Sequence, residues 1–404
     1  MSLLDQLSQP EVWERFCAYR VSHGGEGGFQ KDLRRFIDEE GYLPVCARIA
    51  AGTPFPLPKK SEVGKLSSEK KRTVYTYPFA ENTVLKLLTW LLLRQYDGLF
   101  TPNLYSFRPG RGAKDAVRFL SRVPAVRSLY AYKADVSDYF NSVPVERLIP
   151  LLKAAVGDDP ALFRFLSSLL TEPRALENGT PVTEQKGIMA GTPQASFYAN
   201  LYLSALDRRF FEAGILYARY SDDMLLLAES REALVARAAV LREFLAEQGL
   251  RLNPDKEQFF SPGEGWIFLG FSYRAGTVDI APASATKLKA KMRRKARALM
   301  RWQKRNDLPP EAAAKAFIRV FNSKLFENPA ENELTWARWF FPVITTAESL
   351  RVIDRYAQDQ IRWLLTGTRT KARYNARYED IKALGYRSLA HEYYLFDKTS
   401  DEEN

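Results

Sequence analysis

The spacing of apolar residues changes along the chain, and the changes mark its elements. Residues 1 to about 50 carry apolar positions at helical spacing, interrupted by a Gly-rich turn at 23–28. Residues 52 to 72 have no period and are rich in Pro and Lys, ending in Lys70-Lys71-Arg72. Thr73 to Tyr77 reads as a strand closed by Pro78. Residues 81–96 read as a buried helix, and 105–120 as a turn entering a helix. Residues 130–136 alternate as a strand does, which delivers Asp135 to the strand's end. Helices are expected near 145–155 and 160–171. One long helix is expected over 194–211, entered through Gly191-Thr192-Pro193. Residues 216–228 predict a β-hairpin with Ser221-Asp222 at its tip, followed by a helix at 232–248 and a single strand at 266–273. From 283 onward the pattern is helical and basic, punctuated by Pro309-Pro310 and Asn328-Pro329. Strands in the middle third, with helices before and after, predict an α+β fold and a separate all-α C-terminal unit.

Composition narrows the partners. The 404 residues suffice for two or three compact units, and the net charge of +11 favours a polyanion, either nucleic acid or an anionic membrane surface. Two cysteines and two histidines exclude a disulfide framework and disfavour a zinc site. The start has no basic n-region followed by a long apolar stretch, and the most apolar window, Leu87–Leu93, is too short to span a bilayer. The expectation is a soluble cytoplasmic protein that makes no use of a membrane.

Asp222 and Asp223 stand between two apolar runs, in Arg219-Tyr220-Ser221-Asp222-Asp223-Met224-Leu225-Leu226-Leu227. Asp is common at hairpin tips because it bonds local backbone. The sharper reading is a divalent-metal site, since adjacent carboxylates repel unless a cation lies between them. Oxygen-only ligation suits Mg²⁺ or Mn²⁺. Asp135 offers a third carboxylate. Asp138, just beyond that strand, is a further acid that equally reads as surface.

The segments "ADVSDYFNSV" (134–143), "GTPQASFYANLYLSALD" (191–207) and "RYSDDMLLL" (219–227), in this order and spacing, resemble the palm motifs of reverse transcriptases, those of bacterial group II intron-like and retron-like enzymes above all. "SFRPGRGAKDAV" (106–117) resembles their fingers motif, "GLRLNPDK" (249–256) their lysine-bearing motif, and "WIFLGFSY" (266–273) their primer-grip strand. The resemblance spans roughly residues 70 to 275. It implies a right-hand polymerase: N-terminal extension and fingers in 1–115, palm in 116–143 and 186–278 with a small antiparallel sheet, a helical insertion at 144–185, and a helical basic thumb from 279 to 404.

The resemblance also implies roles. Asp135, Asp222 and Asp223, with the backbone carbonyl of Val136, would hold two Mg²⁺ ions (Mn²⁺ may substitute), one at the primer 3′-OH and one at the incoming triphosphate. Phe140 would block a 2′-OH, predicting dNTP substrates; read without the motif it is core. Gln194 would lie along the nucleotide. Lys71 and Arg72 would pair with the triphosphate, though they read equally as a solvated charge run. Arg108 and Arg111 would touch template or nucleotide. Lys256 would protonate or neutralise the leaving group, or is one more exposed lysine. Ala195-Ser196 stand where intron enzymes usually have two glycines, which bears on fidelity and template use.

Residues 286–305 carry ten Lys or Arg and no acid. Leu288, Met292, Ala296, Leu299 and Trp302 recur at helical spacing, so one face can pack while Lys287, Lys291, Arg294, Lys295 and Arg301 meet a nucleic-acid backbone. Trp336, Trp339, Phe340 and Phe341 read as core of the same unit, residues 370–378 as a basic, Tyr-bearing RNA contact, and the acidic end as frayed.

The function expected is that of an RNA-directed DNA polymerase acting on primer, RNA template and dNTPs. A partner non-coding RNA as template and a role in antiphage defence follow by family analogy. The alternatives are a maturase-like RNA-binding protein and a template-independent DNA polymerase of the same fold. Oligomeric state is left open.

Overall fold

Strands that are apolar on both faces need cover on both sides, and this requirement shapes the unit that contains them. The computed structural model describes residues 2–22, 27–64, 71–184, 187–326 and 336–402. They divide into two compact units, Met1–Glu264 and Gly265–Asn404. Positions 23–26 of the Gly-rich turn, Lys70, Asn328-Pro329 and the last two residues lie outside the described residues, as does the side chain of Lys71.

The first unit is built on a four-stranded antiparallel sheet in the order Leu216–Tyr220, Asp223–Ala228, Tyr130–Asp135, Gln258–Phe260. Met224 to Ala228 are all buried, as are Tyr217, Ala218 and Arg219 on the partner strand. Helix Arg231–Glu247 packs on the two middle strands, and helices Ala113–Ser121 and Ser204–Glu212 pack on Leu216–Tyr220. The expected single helix over 194–211 is two helices, Ala195–Tyr202 and Ser204–Glu212, because Leu203 leaves helical geometry with ψ near 8°.

An outer sheet in the same unit has the order Lys71–Thr76, Lys59–Gly64, Arg174–Glu177, Thr180–Thr183. The strand Lys59–Gly64 falls in the stretch that reads as aperiodic. It is mostly exposed, so no alternation marks it. The hairpin Arg174–Thr183 also carries no apolar pattern, but it turns through Asn178-Gly179, both at positive φ. Asn-Gly is the favoured two-residue hairpin turn, and it is the sequence signal for this element.

The second unit opens with a three-stranded antiparallel sheet, Trp266–Phe268, Phe271–Arg274 and Thr277–Ile280. Where one strand is expected over 266–273, two occur, because Leu269 and Gly270 both take positive φ and fold the chain back. Helix Pro282–Arg305 follows and packs on helices Pro310–Leu325 and Glu348–Thr366. Met292, Ala296, Leu299 and Met300 are its buried residues. Trp302, expected on that packed face, is instead 41% exposed. Phe340 and Phe341 are buried as expected, with Trp336 and Trp339 half-buried beside them. The backbone of the expected frayed end is helical to Glu402. No described helix is long and apolar enough to cross a membrane.

Candidate active site

The register of the central sheet brings the acids together. Asp135 ends the strand Tyr130–Asp135 and pairs directly with Asp223, the first residue of its antiparallel neighbour. Tyr220 pairs with Asp223 across the hairpin, leaving Ser221-Asp222 as a two-residue tip. Ser221 sits at φ 58°, a left-handed geometry uncommon for a residue with a Cβ. The Val136 N–H donates to the Asp222 carbonyl at 3.2 Å, so the tip is stitched to the chain just past Asp135. A third segment closes the other side: Asn253 N–H donates to the Asp135 carbonyl and Ser137 N–H to the Arg251 carbonyl, both at 2.8 Å.

The electrostatics follow from this crowding. Asp135 is almost fully buried, and Asp222 and Asp223 are half-buried. Burial raises Asp222, and the Asp135 charge adds to the rise. Burial pushes Asp223 up to about 6; the nearby Lys133 opposes this while Asp222 and Asp135 reinforce it. Lys256 Nζ donates to Asp135 Oδ2 at 2.7 Å. The donor set is therefore three carboxylates at one sheet end, two of them disfavoured as anions where they stand. That chemistry suits a hard divalent cation with oxygen ligands. Among the described residues no three acidic, His or Cys side chains are gathered closely enough to hold an ion as placed. Lys256 holds one carboxylate oxygen of Asp135 in this arrangement.

The other expected residues are placed unevenly. Phe140 lies half-buried in the short helix Tyr139–Ser142, its ring 5.7 Å from that of Tyr139. Its carbonyl accepts from Ile188 N–H at 2.8 Å. The loop carrying Ile188 continues to Gly191, which takes φ 98° and lies so close to the outer sheet that a Cβ would sit 3.0 Å from the Tyr75 carbonyl. Tyr75 N–H donates to the Ala190 carbonyl at 2.8 Å, so this loop docks on the strand that holds Lys71 and Arg72. Arg72 is exposed. Gln194, expected along a nucleotide, is 2% exposed and is packed among Tyr77, Leu169, Met189 and Tyr198.

Arg108 differs most from expectation. Its Nε and Nη2 hold both carboxylate oxygens of Asp97, Nη2 also reaches the Asp97 carbonyl, and Nη1 holds the carbonyls of Thr101 and Leu104. All five donors of the guanidinium are engaged by residues 97–104, so in this arrangement Arg108 ties its turn to that segment. Arg111 donates to the Pro102 carbonyl at 2.8 Å.

Sequence reasoning passed over the side chains beneath the tip. Arg219 is fully buried. Its Nε donates to Asp207 Oδ1 at 2.8 Å, its Nη1 to the Ser221 carbonyl at 3.1 Å and its Nη2 to the Asn200 carbonyl at 3.1 Å. Ser106 Oγ accepts the Ser221 N–H at 2.9 Å and donates to Asn200 Oδ1. The readable signal was a charged residue inside an otherwise apolar strand, which must find a buried partner.

In the second unit Lys287, Lys291, Arg294, Lys295 and Arg301 are all exposed, and none forms an ion pair among the described residues. In the 370–378 segment Tyr374 is 52% exposed, with the Arg373 guanidinium 4.3 Å from its ring centre.

Comparison with known proteins bears on the same region. Residues 57–273 match the family model described as reverse transcriptase (RNA-dependent DNA polymerase). The chain is 21% identical over 227 residues to the group II intron-encoded protein LtrA of Lactococcus lactis subsp. cremoris, a match covering 54% of this chain and 37% of that protein. It is 25% identical over 173 residues to a retron reverse transcriptase of Escherichia coli, covering 42% of this chain and 50% of that one. The match thus spans half or less of the length of these relatives. Among solved structures, apo telomerase from Candida tropicalis aligns with TM-score 0.47 and 11% identity, over 82% of this chain and 69% of that one.

Proposed function

The chain belongs to the reverse transcriptase family, and from that premise we propose that it is an RNA-directed DNA polymerase extending a primer 3′-OH with dNTPs on an RNA template. The observation that carries the reading is the direct pairing of Asp135 with Asp223, with Asp222 beside them at the hairpin tip. Asp135, Asp222, Asp223 and the Val136 carbonyl are the proposed holders of Mg²⁺, for which Mn²⁺ can substitute. When bound, such ions supply activation of the 3′-OH and charge neutralisation on the triphosphate. The chain's own part is positioning and electrostatics, because phosphoryl transfer needs little covalent help from protein.

In this reading Phe140 stands against the sugar and selects deoxynucleotides. Lys71 and Arg72 pair with the triphosphate, Arg72 being exposed on the outer sheet. Lys256, half-exposed at the edge of the acid cluster, trades Asp135 for the leaving group as charge develops there. Gln194 supports the nucleotide site from below through its buried packing. The exposed cations of helix Pro282–Arg305 run along the template–primer backbone, contributing salt-sensitive and sequence-independent affinity. In hand terms, the central sheet is palm, the outer sheet belongs to fingers, and the helices of the second unit are thumb.

The test is dNTP incorporation by purified protein with Mg²⁺ on a primed RNA template, with NTPs alongside. Template-dependent DNA synthesis that is lost in Asp222→Ala/Asp223→Ala supports polymerase and site together. Synthesis without template would replace this reading with untemplated addition, and tight RNA binding without synthesis would replace it with a maturase-like binder. A partner non-coding RNA as template, and a role in antiphage defence, rest on the family resemblance alone. Sequencing RNA that co-purifies with the protein and plating phage on cells that express it test them.

A further inference from the structure

The tip that presents Asp222 is held from below by charge. Ser221 is the only tip residue with both backbone groups tied inward: its N–H to Ser106 Oγ and its carbonyl to Arg219 Nη1. Arg219 is itself fixed by Asp207 on helix Ser204–Glu212 and by the Asn200 carbonyl on helix Ala195–Tyr202. Its backbone is also fastened, Arg219 N–H to the Asn103 carbonyl and Tyr105 N–H to the Arg219 carbonyl, both at 2.9 Å. Asn103 Nδ2 closes the ring on the Asp207 carbonyl at 2.8 Å. Both members of the ion pair are essentially inaccessible to solvent.

A buried pair of this kind is weak evidence for stability. Desolvation of two charges offsets most of their attraction, and apolar replacement of both is often neutral or stabilising. Its more specific effect here is geometric. Ser221 occupies a left-handed φ that a non-glycine residue holds only when its surroundings over-determine it. The planar guanidinium spreads its donors over three nitrogens and so reaches acceptors on three elements, whereas an ammonium must place all three donors on one nitrogen.

We propose that Arg219 and Asp207 form a positioning pair that holds the Ser221-Asp222 tip in the geometry needed for cation binding at the acid cluster. Neither touches the reacting atoms; they act through Ser221. The inference rests on the polymerase reading for its consequence in catalysis, and on the carboxylate cluster alone for its consequence in cation binding.

The decisive comparison is wild type, Arg219→Lys, and the paired apolar variant Arg219→Met/Asp207→Leu. Three quantities are measured: melting temperature, Mn²⁺ affinity of the substrate-free protein followed by the electron-spin-resonance signal of free Mn²⁺, and the Mg²⁺ concentration that half-saturates dNTP incorporation. The paired variant should melt within a few degrees of wild type, yet bind Mn²⁺ about tenfold more weakly and need about tenfold more Mg²⁺. Arg219→Lys should fall between the two. Wild-type Mn²⁺ affinity in a folded paired variant overturns the proposal. So does a loss of affinity that appears only in step with a collapse in melting temperature, which marks a merely structural pair. A wild-type chain that binds Mn²⁺ but never incorporates dNTP defeats the polymerase reading, and the Mn²⁺ comparison still decides the role of Arg219.

Discussion

Lys256 donates its ammonium to Asp135 at 2.7 Å, so the lysine expected near the leaving group rests on the most buried carboxylate of the acid cluster. In the absence of a cation it supplies the positive charge that this crowded sheet end requires. Two effects of Lys256→Met should therefore diverge. The maximal rate should fall about 10- to 100-fold, within the range for loss of a proton donor, while the Mg²⁺ concentration for half-saturation falls because Asp135 is freed. Steady-state incorporation over a Mg²⁺ titration checks both. A rise in the Mg²⁺ requirement would contradict the placement.

Asp223 yields a pH prediction whose sign follows from its raised value of about 6. A carboxyl that holds its proton more tightly when folded contributes stability that is fully present below the unfolded value near 4. That stability is lost as pH rises through about 6. Without divalent cations, the first unit should lose on the order of 2–3 kcal/mol between pH 4 and pH 7 from this group. Mn²⁺ should restore much of it at pH 7. Asp223→Asn should remove this pH dependence and raise the cation-free melting temperature at pH 7.5 by a few degrees, while abolishing synthesis. Thermal melts across pH, with and without Mn²⁺, are the check.

The exposed cations of helix Pro282–Arg305 should bind backbone phosphate and nothing else. Lys291→Glu/Arg294→Glu/Lys295→Glu should weaken binding to primed RNA at least tenfold at physiological salt, irrespective of sequence. Because Met292 and Ala296 keep the packed face, the melting temperature should hold. The slope of log affinity against log salt should shrink by up to about 0.9 for each phosphate contact removed.

Phe140→Ala should raise the use of NTPs relative to dNTPs by at least tenfold. The Ile188 N–H donates to the Phe140 backbone carbonyl, a bond that the variant should keep. Competitive incorporation of ATP against dATP measures the change. An unaltered ratio would return Phe140 to the role of core residue.

Arg108→Ala tests whether that guanidinium ties its turn or meets a ligand. With its donors spent on Asp97, Thr101 and Leu104, its loss should cost about 1–3 kcal/mol of stability by leaving a part-exposed carboxylate and three carbonyls without this partner. Below the melting transition, the KM for dNTP should stay at the wild-type value.

The acid cluster was legible because strands that bury both faces leave a strong apolar signature, and a carboxylate ending such a strand stands out. The break at Leu203 and the fold-back at Leu269-Gly270 were not, because each is a local choice of dihedrals that leaves the apolar pattern intact. Lys59–Gly64 escaped because a polar strand is held by backbone pairing, which has no side-chain period. Arg108 shows a different limit. A motif says which residue type recurs at a position, but not whether its polar atoms face a ligand or the surrounding protein. Arg219 and Asp207 lie twelve positions apart on different elements, so only the folded chain reveals them as partners.

The loop from Gly187 to Gly191 is fastened at both ends, by Ile188 to the Phe140 carbonyl and by Ala190 to Tyr75. It ties the outer sheet to the short helix that carries Phe140. A displacement of the strand bearing Arg72 toward an incoming triphosphate would be passed to Phe140 through these two backbone hydrogen bonds. On the proposed reading, the two ends of one nucleotide, its phosphates and its sugar, are therefore gauged by a single moving part. A nucleotide with the wrong sugar would be resisted before its phosphates were seated.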